Sequence, residues 1–115
     1  FVNAAPTLPA AEAALRFCHA LTASQHILHR LFFFEDGVLN SARTAPLCDQ
    51  WAEFITTHTI DALCCSGACA RLTLADDEGR PKPRMHSAFA VAGLGQLVAA
   101  TSQSNRCITF GQRLC

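Results

Sequence analysis

Three cysteines lie close together near the middle of the chain, at Cys64, Cys65 and Cys69. A cysteine thiolate attacks sulfur and carbonyl centres and binds metal ions, so this cluster is the first candidate for chemistry. Cys64 directly follows a short apolar run that begins at Ile60, and Ser66 is a residue type that starts helices. A thiol between a strand and a helix start lies near the positive end of the helix dipole, which favours the thiolate.

The same cysteines could instead have packing or resolving roles. Cys64 could fill space at a strand end, because free cysteine is among the most buried residue types. Cys65 or Cys69 could act as a resolving thiol or pack in the core. Arg71, about two helical turns beyond Cys64, could add positive charge if the fold directs it towards the thiols.

The spacing of cysteines and histidines bears on metal binding, and the presence of histidines bears on hydrolysis. Structural zinc usually takes two short cysteine or histidine pairs, and the sequence contains no C-x-x-C and no H-x-x-x-H. We therefore expect no metal and no other cofactor, and no thioredoxin-like redox motif. A cysteine hydrolase would need a histidine base, for which His19, His58 or His86 could serve.

The composition is that of a small globular protein with few charges. The chain has 115 residues, which predicts a single domain over residues 1–115. Hydrophobic residues make up 50% and charged residues 16%, so we expect part of the surface to be covered by a partner or a further subunit. Nine basic and nine acidic residues cancel, which predicts neither direct nucleic-acid binding nor membrane binding.

Cysteine usage and the first residues bear on the cellular compartment. Seven cysteines are an odd number, and the long apolar elements between them are not typical of a secreted disulfide scaffold. These features predict a reduced, cytoplasmic protein. The sequence has no stretch that reads as a membrane span and no signal peptide at its start. Because it begins with Phe1 and not Met, we expect a short leader segment to be missing.

Apolar periodicity predicts strands that alternate with helices. Two helices begin near Pro9 and Pro46, a third runs from Ser66 to about Leu72, and a fourth is indicated by apolar positions from Leu94 to Thr101. The predicted strands cover residues 1–3, 27–34, 60–63, 89–91 and 107–110. This alternation predicts a three-layer α/β/α fold, small and doubly wound, with a mostly parallel sheet of about five strands.

Four stretches of the chain resemble segments of the DsrE/TusD family of sulfurtransferase subunits. Residues 33–40, FFEDGVLN, are similar to the family's F-F-x-x-D/E-G-V-x-N segment. Residues 92–97, AGLGQL, are similar to its S-G-L-G-Q-L helix start, and residues 105–111, NRCITFG, to its D-R-x-x-x-F-G strand. The strand that ends at Cys64, followed by small residues and Arg71, resembles its cysteine-bearing segment. These segments occur in the family's order and spacing.

The resemblance implies a flavodoxin-like fold and a cysteine that accepts persulfide sulfur, which falls on Cys64. Cys65 replaces the family's usual valine and is an alternative acceptor or resolving thiol. Residues 70–72 read Ala-Arg-Leu where the family usually has Arg-Arg-Gly. Ser66 and Arg71 would support the acceptor, and no cofactor or metal is implied.

The resemblance also implies partners. Two smaller paralogous subunits would complete a hetero-hexamer, and small carrier proteins would deliver and remove the sulfur. Its destination would be 2-thiolation of the tRNA wobble uridine or cytoplasmic sulfur trafficking and oxidation. The polar loop from Asp76 to Arg84 is expected to help dock a carrier. The alternatives are a non-catalytic assembly subunit of a sulfurtransferase complex, or a metal-binding or redox-sensing domain.

Overall fold

The computed structural model describes residues 1–93, 95, 102 and 106–111. Three α-helices, one 3₁₀ helix and three strands are assigned in this part of the chain. In chain order they are α1 (Pro9–Ala23), β1 (Arg30–Phe33), a 3₁₀ helix (Glu35–Ser41), α2 (Cys48–His58), β2 (Asp61–Cys65), α3 (Ser66–Arg71) and β3 (Ala90–Ala92). The predicted fourth helix lies largely outside the described residues.

The three strands form one parallel sheet in the order β1-β2-β3. Phe33 pairs with Cys64, and Cys64 pairs with Val91 on its other side. Val2 makes single parallel bridges to Phe33 and to Phe110. The α/β class and the parallel sheet are therefore confirmed, whereas the first and last predicted strands are represented by these single bridges. A five-stranded, three-layer arrangement stays a prediction.

Strand β1 is shorter than the apolar run that predicted it. The run begins at Ile27, but the strand begins at Arg30. Ile27 is 93% exposed, because the chain is still leaving α1 at this point, through Gln25 in a left-handed conformation. Apolar character alone therefore placed the start of this strand three residues too early.

One buried cluster joins the helices to the sheet. Phe33 of β1 meets Trp51 of α2 edge-on at 5.2 Å between ring centroids, and it meets Phe89 at 5.4 Å. Phe54 and Ile55 complete the buried face of α2, as its periodicity predicts. This packing holds β1 against α2, and β1 is the strand with which β2 pairs.

Gly37 allows the 3₁₀ helix to lie directly against the start of the chain. A Cβ atom at this position would overlap the backbone carbonyl of Val2. The amide of Gly37 donates to the Phe34 carbonyl, and the amide of Phe34 donates to the Val2 carbonyl. This close approach holds the end of the 3₁₀ helix, and with it Ser41, beside the carboxyl end of β2.

Candidate functional site

The cysteine cluster lies at the carboxyl end of β2, where the chain passes from strand to helix. The strand runs to Cys65 and helix α3 begins at the next residue, so no loop separates them. Ligands of open parallel sheets bind beyond the carboxyl ends of the strands. Because side chains alternate along a strand, Cys64 and Cys65 point to opposite faces of the sheet.

Cys64 is a core residue. Its side chain has no exposed surface, and it packs in the main hydrophobic cluster. The hydrogen bond that it donates to Cys69, together with burial, raises the pKa of the Cys64 thiol well above its ordinary value, although a hydrogen bond with Ser41 opposes this. Both effects oppose the thiolate that the helix dipole was expected to favour at Cys64, and which of the clustered cysteines accepts sulfur stays a prediction. Strand β2 extends past Cys64 and buries it before the helix begins.

Cys69 is the partner of Cys64 in this buried pair. It comes from α3 and also has no exposed surface. The hydrogen bond received from Cys64 lowers the pKa of the Cys69 thiol, and burial opposes that change. Of these two thiols, Cys69 is therefore the one whose ionisation is favoured.

Cys65 differs from both neighbours because it is partly exposed. It occupies the N-cap position of α3 with extended backbone angles, φ −58° and ψ 125°, and its side chain makes no capping hydrogen bond. The sequence predicts Ser66 at this cap, but Ser66 is the first residue of the helix itself. Of the three clustered cysteines, Cys65 is thus the thiol that a second protein can reach.

Arg71, the predicted supporting residue, is paired with an acidic side chain of the 3₁₀ helix, and a role beside the thiols stays a prediction. It is the last residue of α3, and its guanidinium lies 3.8 Å from the carboxylate of Glu35. Both side chains are largely exposed, so the pair contributes about 0–1 kcal/mol to folding stability. Its structural consequence is a link between the end of α3 and the start of the 3₁₀ helix.

The candidate histidine bases are placed on other elements. His19 of α1 and His58 of α2 each lie 4.7 Å from the Phe54 ring, between ring centroids. His86 lies nearer the cluster, because its amide donates to the carbonyl of Ser41. Its Nδ1 accepts a hydrogen bond from the amide of Ala88, so the imidazole is engaged in its own loop. Nothing in these contacts supports a cysteine–histidine hydrolase.

A metal site was the other possibility for the cysteine cluster. Within residues 1–93, 95, 102 and 106–111, no group of three or more histidine, cysteine, aspartate or glutamate side chains could hold a metal ion. The buried Cys64–Cys69 pair and the separate orientation of Cys65 explain why the three thiols do not converge on one point.

Two polar residues beside the cluster were not singled out from the sequence as site residues. Asn40 and Ser41 have no exposed surface, although both are polar. The side-chain amide of Asn40 donates to the backbone carbonyls of Ala4 and Gly37. The hydroxyl of Ser41 donates to the backbone carbonyl of Val38 at 2.6 Å. The sequence signal for Asn40 is that it is the last residue of the FFEDGVLN segment, and Ser41 follows it directly.

The loop that follows α3 returns to the end of that helix. The Arg84 guanidinium donates to the carbonyl of Leu72 and to the hydroxyl of Thr73, both at 3.0 Å. Arg80 is paired within the loop with Asp76 at 3.1 Å. These contacts hold a charged segment beside the end of α3, and Lys82 is exposed on it. Among the described helices, none is long and apolar enough to cross a membrane.

Comparison with known proteins agrees with the resemblance read from the motifs. The chain is 33% identical to DsrE of Allochromatium vinosum over 114 residues, which cover 89% of this chain and 88% of the relative. It is 33% identical to a sulfurtransferase TusD homolog of Pseudomonas aeruginosa over 118 residues, 92% and 90% of the two chains. It is 32% identical to sulfurtransferase TusD of Serratia proteamaculans over 112 residues, 87% of each. The model of the DsrE/DsrF-like family matches residues 1–110, and the chain therefore belongs to that family.

Proposed function

We propose that this chain is a sulfurtransferase that accepts sulfur as a persulfide on Cys65 and passes it to the cysteine of a partner protein. The observation that carries the proposal is the exposure of Cys65 at the carboxyl end of β2, beside two cysteines that have no exposed surface. The relatives from Pseudomonas aeruginosa and Serratia proteamaculans are named sulfurtransferases, which supports the reaction class.

The chemistry requires no cofactor. The Cys65 thiolate attacks the outer sulfur of a donor persulfide, the donor's S–S bond breaks, and the donor leaves as a thiolate. Cys65 then carries one additional sulfur atom. In the second step an acceptor thiolate attacks that outer sulfur, and Cys65 leaves as a thiolate. Each step exchanges one S–S bond for another, so no net oxidant or reductant is consumed.

The structure favours Cys65 over Cys64 as the acceptor. The resemblance places the acceptor on Cys64, but a donor persulfide carried by another protein must approach within bonding distance of the attacking sulfur. Cys64 has no exposed surface and a raised pKa, caused by its hydrogen bond to Cys69 and by burial. Cys65 needs no opening of the core before it reacts.

The test is sulfur loading from a cysteine desulfurase supplied with cysteine, followed by mass spectrometry of the alkylated protein. Trypsin releases residues 44–71 as one peptide that contains all three clustered cysteines, so single variants must locate the sulfur. We expect Cys65→Ser to reduce loading to background and Cys64→Ser to retain it. Loading that survives in Cys65→Ser and disappears in Cys64→Ser would return the acceptor to Cys64.

The partners of this reaction are part of the proposal. We propose a cytoplasmic hetero-oligomer with paralogous subunits, small carriers that deliver and remove sulfur, and no direct contact with nucleic acid or membrane. The product would serve tRNA wobble-uridine thiolation or sulfur trafficking. Transfer from loaded protein to each candidate downstream carrier, followed by the same mass measurement, distinguishes these destinations.

The second candidate function is a non-catalytic assembly subunit. The observation that favours it is the complete burial of Cys64, the position on which the resemblance places the acceptor. If this is the function, none of the cysteines acquires stable sulfur when donor and partner subunits are present, and the chain still assembles with those subunits.

A further inference from the structure

A cavity of about 900 Å³ lies towards the amino end of the sheet, where Arg30 and Leu31 begin β1. Helix α1, the loop that connects it to β1 and the segment 106–110 line this cavity. Phe17 of α1 packs against Phe110, with 5.3 Å between their ring centroids, so the helix is in contact with that segment. Pockets that enclose small ligands have volumes of about 300–1,000 Å³, and the cavity is within that range.

Exposed apolar side chains are concentrated at this cavity. Among the described residues, the large hydrophobic side chains that are exposed are those of Ile27, at 93%, and Ile108, at 45%, and both line the cavity. Exposed apolar side chains that occur together, and not singly, mark binding sites. The cavity therefore favours a ligand that has hydrocarbon surface to bury.

The charge around the cavity is of one sign. Two arginines and two histidines line it, namely Arg30, Arg106, His26 and His29. The sequence has no aspartate or glutamate in residues 13–34 or 79–115, so these parts of the chain contribute no acidic side chain to the cavity. Charge complementarity therefore selects a ligand that carries an anionic group.

The available positive charge fits a ligand with a single negative charge. The Arg30 guanidinium lies 3.8 Å from the carboxylate of Asp61, which offsets part of its charge. Arg106 is exposed, and it forms no ion pair within the part of the chain that the structure describes. A guanidinium and a carboxylate are both planar and can form two parallel hydrogen bonds. The site therefore suits one carboxylate better than a polyphosphate.

We propose that this cavity binds an aliphatic carboxylate. The hydrocarbon chain lies against Phe17, Ile27 and Ile108, and the carboxylate is held by the guanidinium of Arg106. A partner protein or a second copy of the chain would be the other occupants of an apolar patch, but the concave shape and the volume fit a small molecule.

This site is separate from the cysteine cluster. Arg30 is paired in the sheet with Asp61, the first residue of β2, whereas Cys65 is the last residue of that strand. The two ends of β2 are roughly 13 Å apart along the strand. Occupancy of the cavity therefore leaves Cys65 accessible, and the proposal does not depend on whether Cys65 carries sulfur.

The experiment is isothermal titration calorimetry of the full chain at neutral pH with decanoate, below the concentration at which decanoate forms micelles. Decylammonium, which has the same chain length and the opposite charge, is the matched ligand. We expect decanoate to bind at least about tenfold more tightly than decylammonium. Shorter carboxylates should bind about three- to fourfold more weakly for each CH₂ group removed, because the chain contacts apolar side chains.

Two arginine variants test the position of the carboxylate. Arg106→Glu should weaken decanoate binding at least about tenfold and strengthen the binding of decylammonium. Arg16→Glu is the matched control, because Arg16 is an exposed arginine of α1 that does not line the cavity, and the change in net charge is the same. We expect it to change either affinity by about twofold at most in physiological salt. Both arginines are exposed, so neither substitution disturbs the core.

Three results would overturn the proposal. Equal affinities for decanoate and decylammonium, or equal effects of the two arginine variants, would show that the basic residues of the cavity do not select the ligand. Absence of decanoate binding by the folded, monomeric chain would leave the patch to a partner protein. A chain that sediments as a dimer, and as a monomer after Ile27→Asp, would make the patch an interface between two copies. Failure of sulfur loading in the separate desulfurase assay would leave these results unchanged.

Discussion

Neighbouring cysteines of this chain differ in chemistry because one position along a strand decides which face a side chain occupies. Cys64 and Cys65 have the same side chain, but the first is in the core and the second is partly exposed. The sequence could predict the thiol cluster and the strand-to-helix junction that holds it. It could not separate these two thiols, because that depends on where β2 ends, and the predicted end at Leu63 was two residues too early.

A prediction at the residue scale concerns Cys48 and alkaline pH. Burial, followed by the nearby charge of Asp49, raises the pKa of Cys48 from 9.0 to about 11. In that range the unfolded thiol ionises before the folded one, so this contribution to stability is complete below pH 9.0 and is lost as the pH rises through about 11. The loss for one such group is about 2 kcal/mol at a pH of roughly 10.5.

The measurement is the free energy of unfolding of wild type and Cys48→Ala, by urea denaturation at about pH 8 and about pH 10.5. We expect the variant to be less stable at the lower pH, because it has a cavity, but to lose about 2 kcal/mol less between the two pH values. Equal losses in both proteins would show that Cys48 does not titrate differently on unfolding.

The end of α3 is a departure from the family pattern with a measurable cost. Where the family usually has Arg-Arg-Gly, this chain has no glycine, and the turn after the helix places Thr73 in the left-handed region at φ 61°. The amides of Leu74 and Ala75 both donate to the carbonyl of Cys69, so this turn closes the helix that carries the buried thiol. The sequence could predict that the helix ends here, but not that a threonine would adopt this conformation.

A prediction at this scale is that Thr73→Gly stabilises the protein. Glycine adopts the left-handed conformation without the Cβ penalty, so we expect a gain of about 0.5–1 kcal/mol in the free energy of unfolding. Thr73→Ala is the matched control, because it removes the same hydroxyl and its contact with Arg84 but keeps the Cβ. If both variants are destabilised equally, the hydroxyl contacts outweigh the backbone conformation.

For the whole molecule, the three α-helices and the three strands of the described sheet could be predicted because their apolar patterns are local, whereas the other two predicted strands appear only as single bridges. The order of the strands could not, because it depends on pairing between distant segments, such as Val2 with Phe110. Charge is also a property of the whole surface. The chain has no net charge, but its 76–84 loop brings exposed charged side chains to the end of α3, the helix that Cys65 caps.

The corresponding prediction is that Lys82→Glu slows sulfur transfer between proteins without affecting Cys65 itself. Arg80 is paired with Asp76, and Arg84 contacts the end of α3, whereas Lys82 extends from the loop as an exposed cation. We expect transfer from a loaded carrier protein to slow about two- to fivefold at low salt, because rim charges act mainly on association rates. Loading from a small-molecule persulfide is the control and should not change.

A slower reaction with the small-molecule persulfide as well would mean that the substitution disturbs the site and not docking. An unchanged rate with the carrier protein would exclude Lys82 from the docking surface.

The chain contains one tryptophan, and its position makes the protein its own optical probe. Trp51 has no exposed surface, and its ring stands edge-on to Phe33, the residue whose strand partner is Cys64. All indole emission therefore comes from a side chain that contacts Phe33, and Phe33 is paired across the sheet with Cys64. A shift of that emission to longer wavelength reports separation of α2 from the sheet without any attached dye, and the signal comes from a single location.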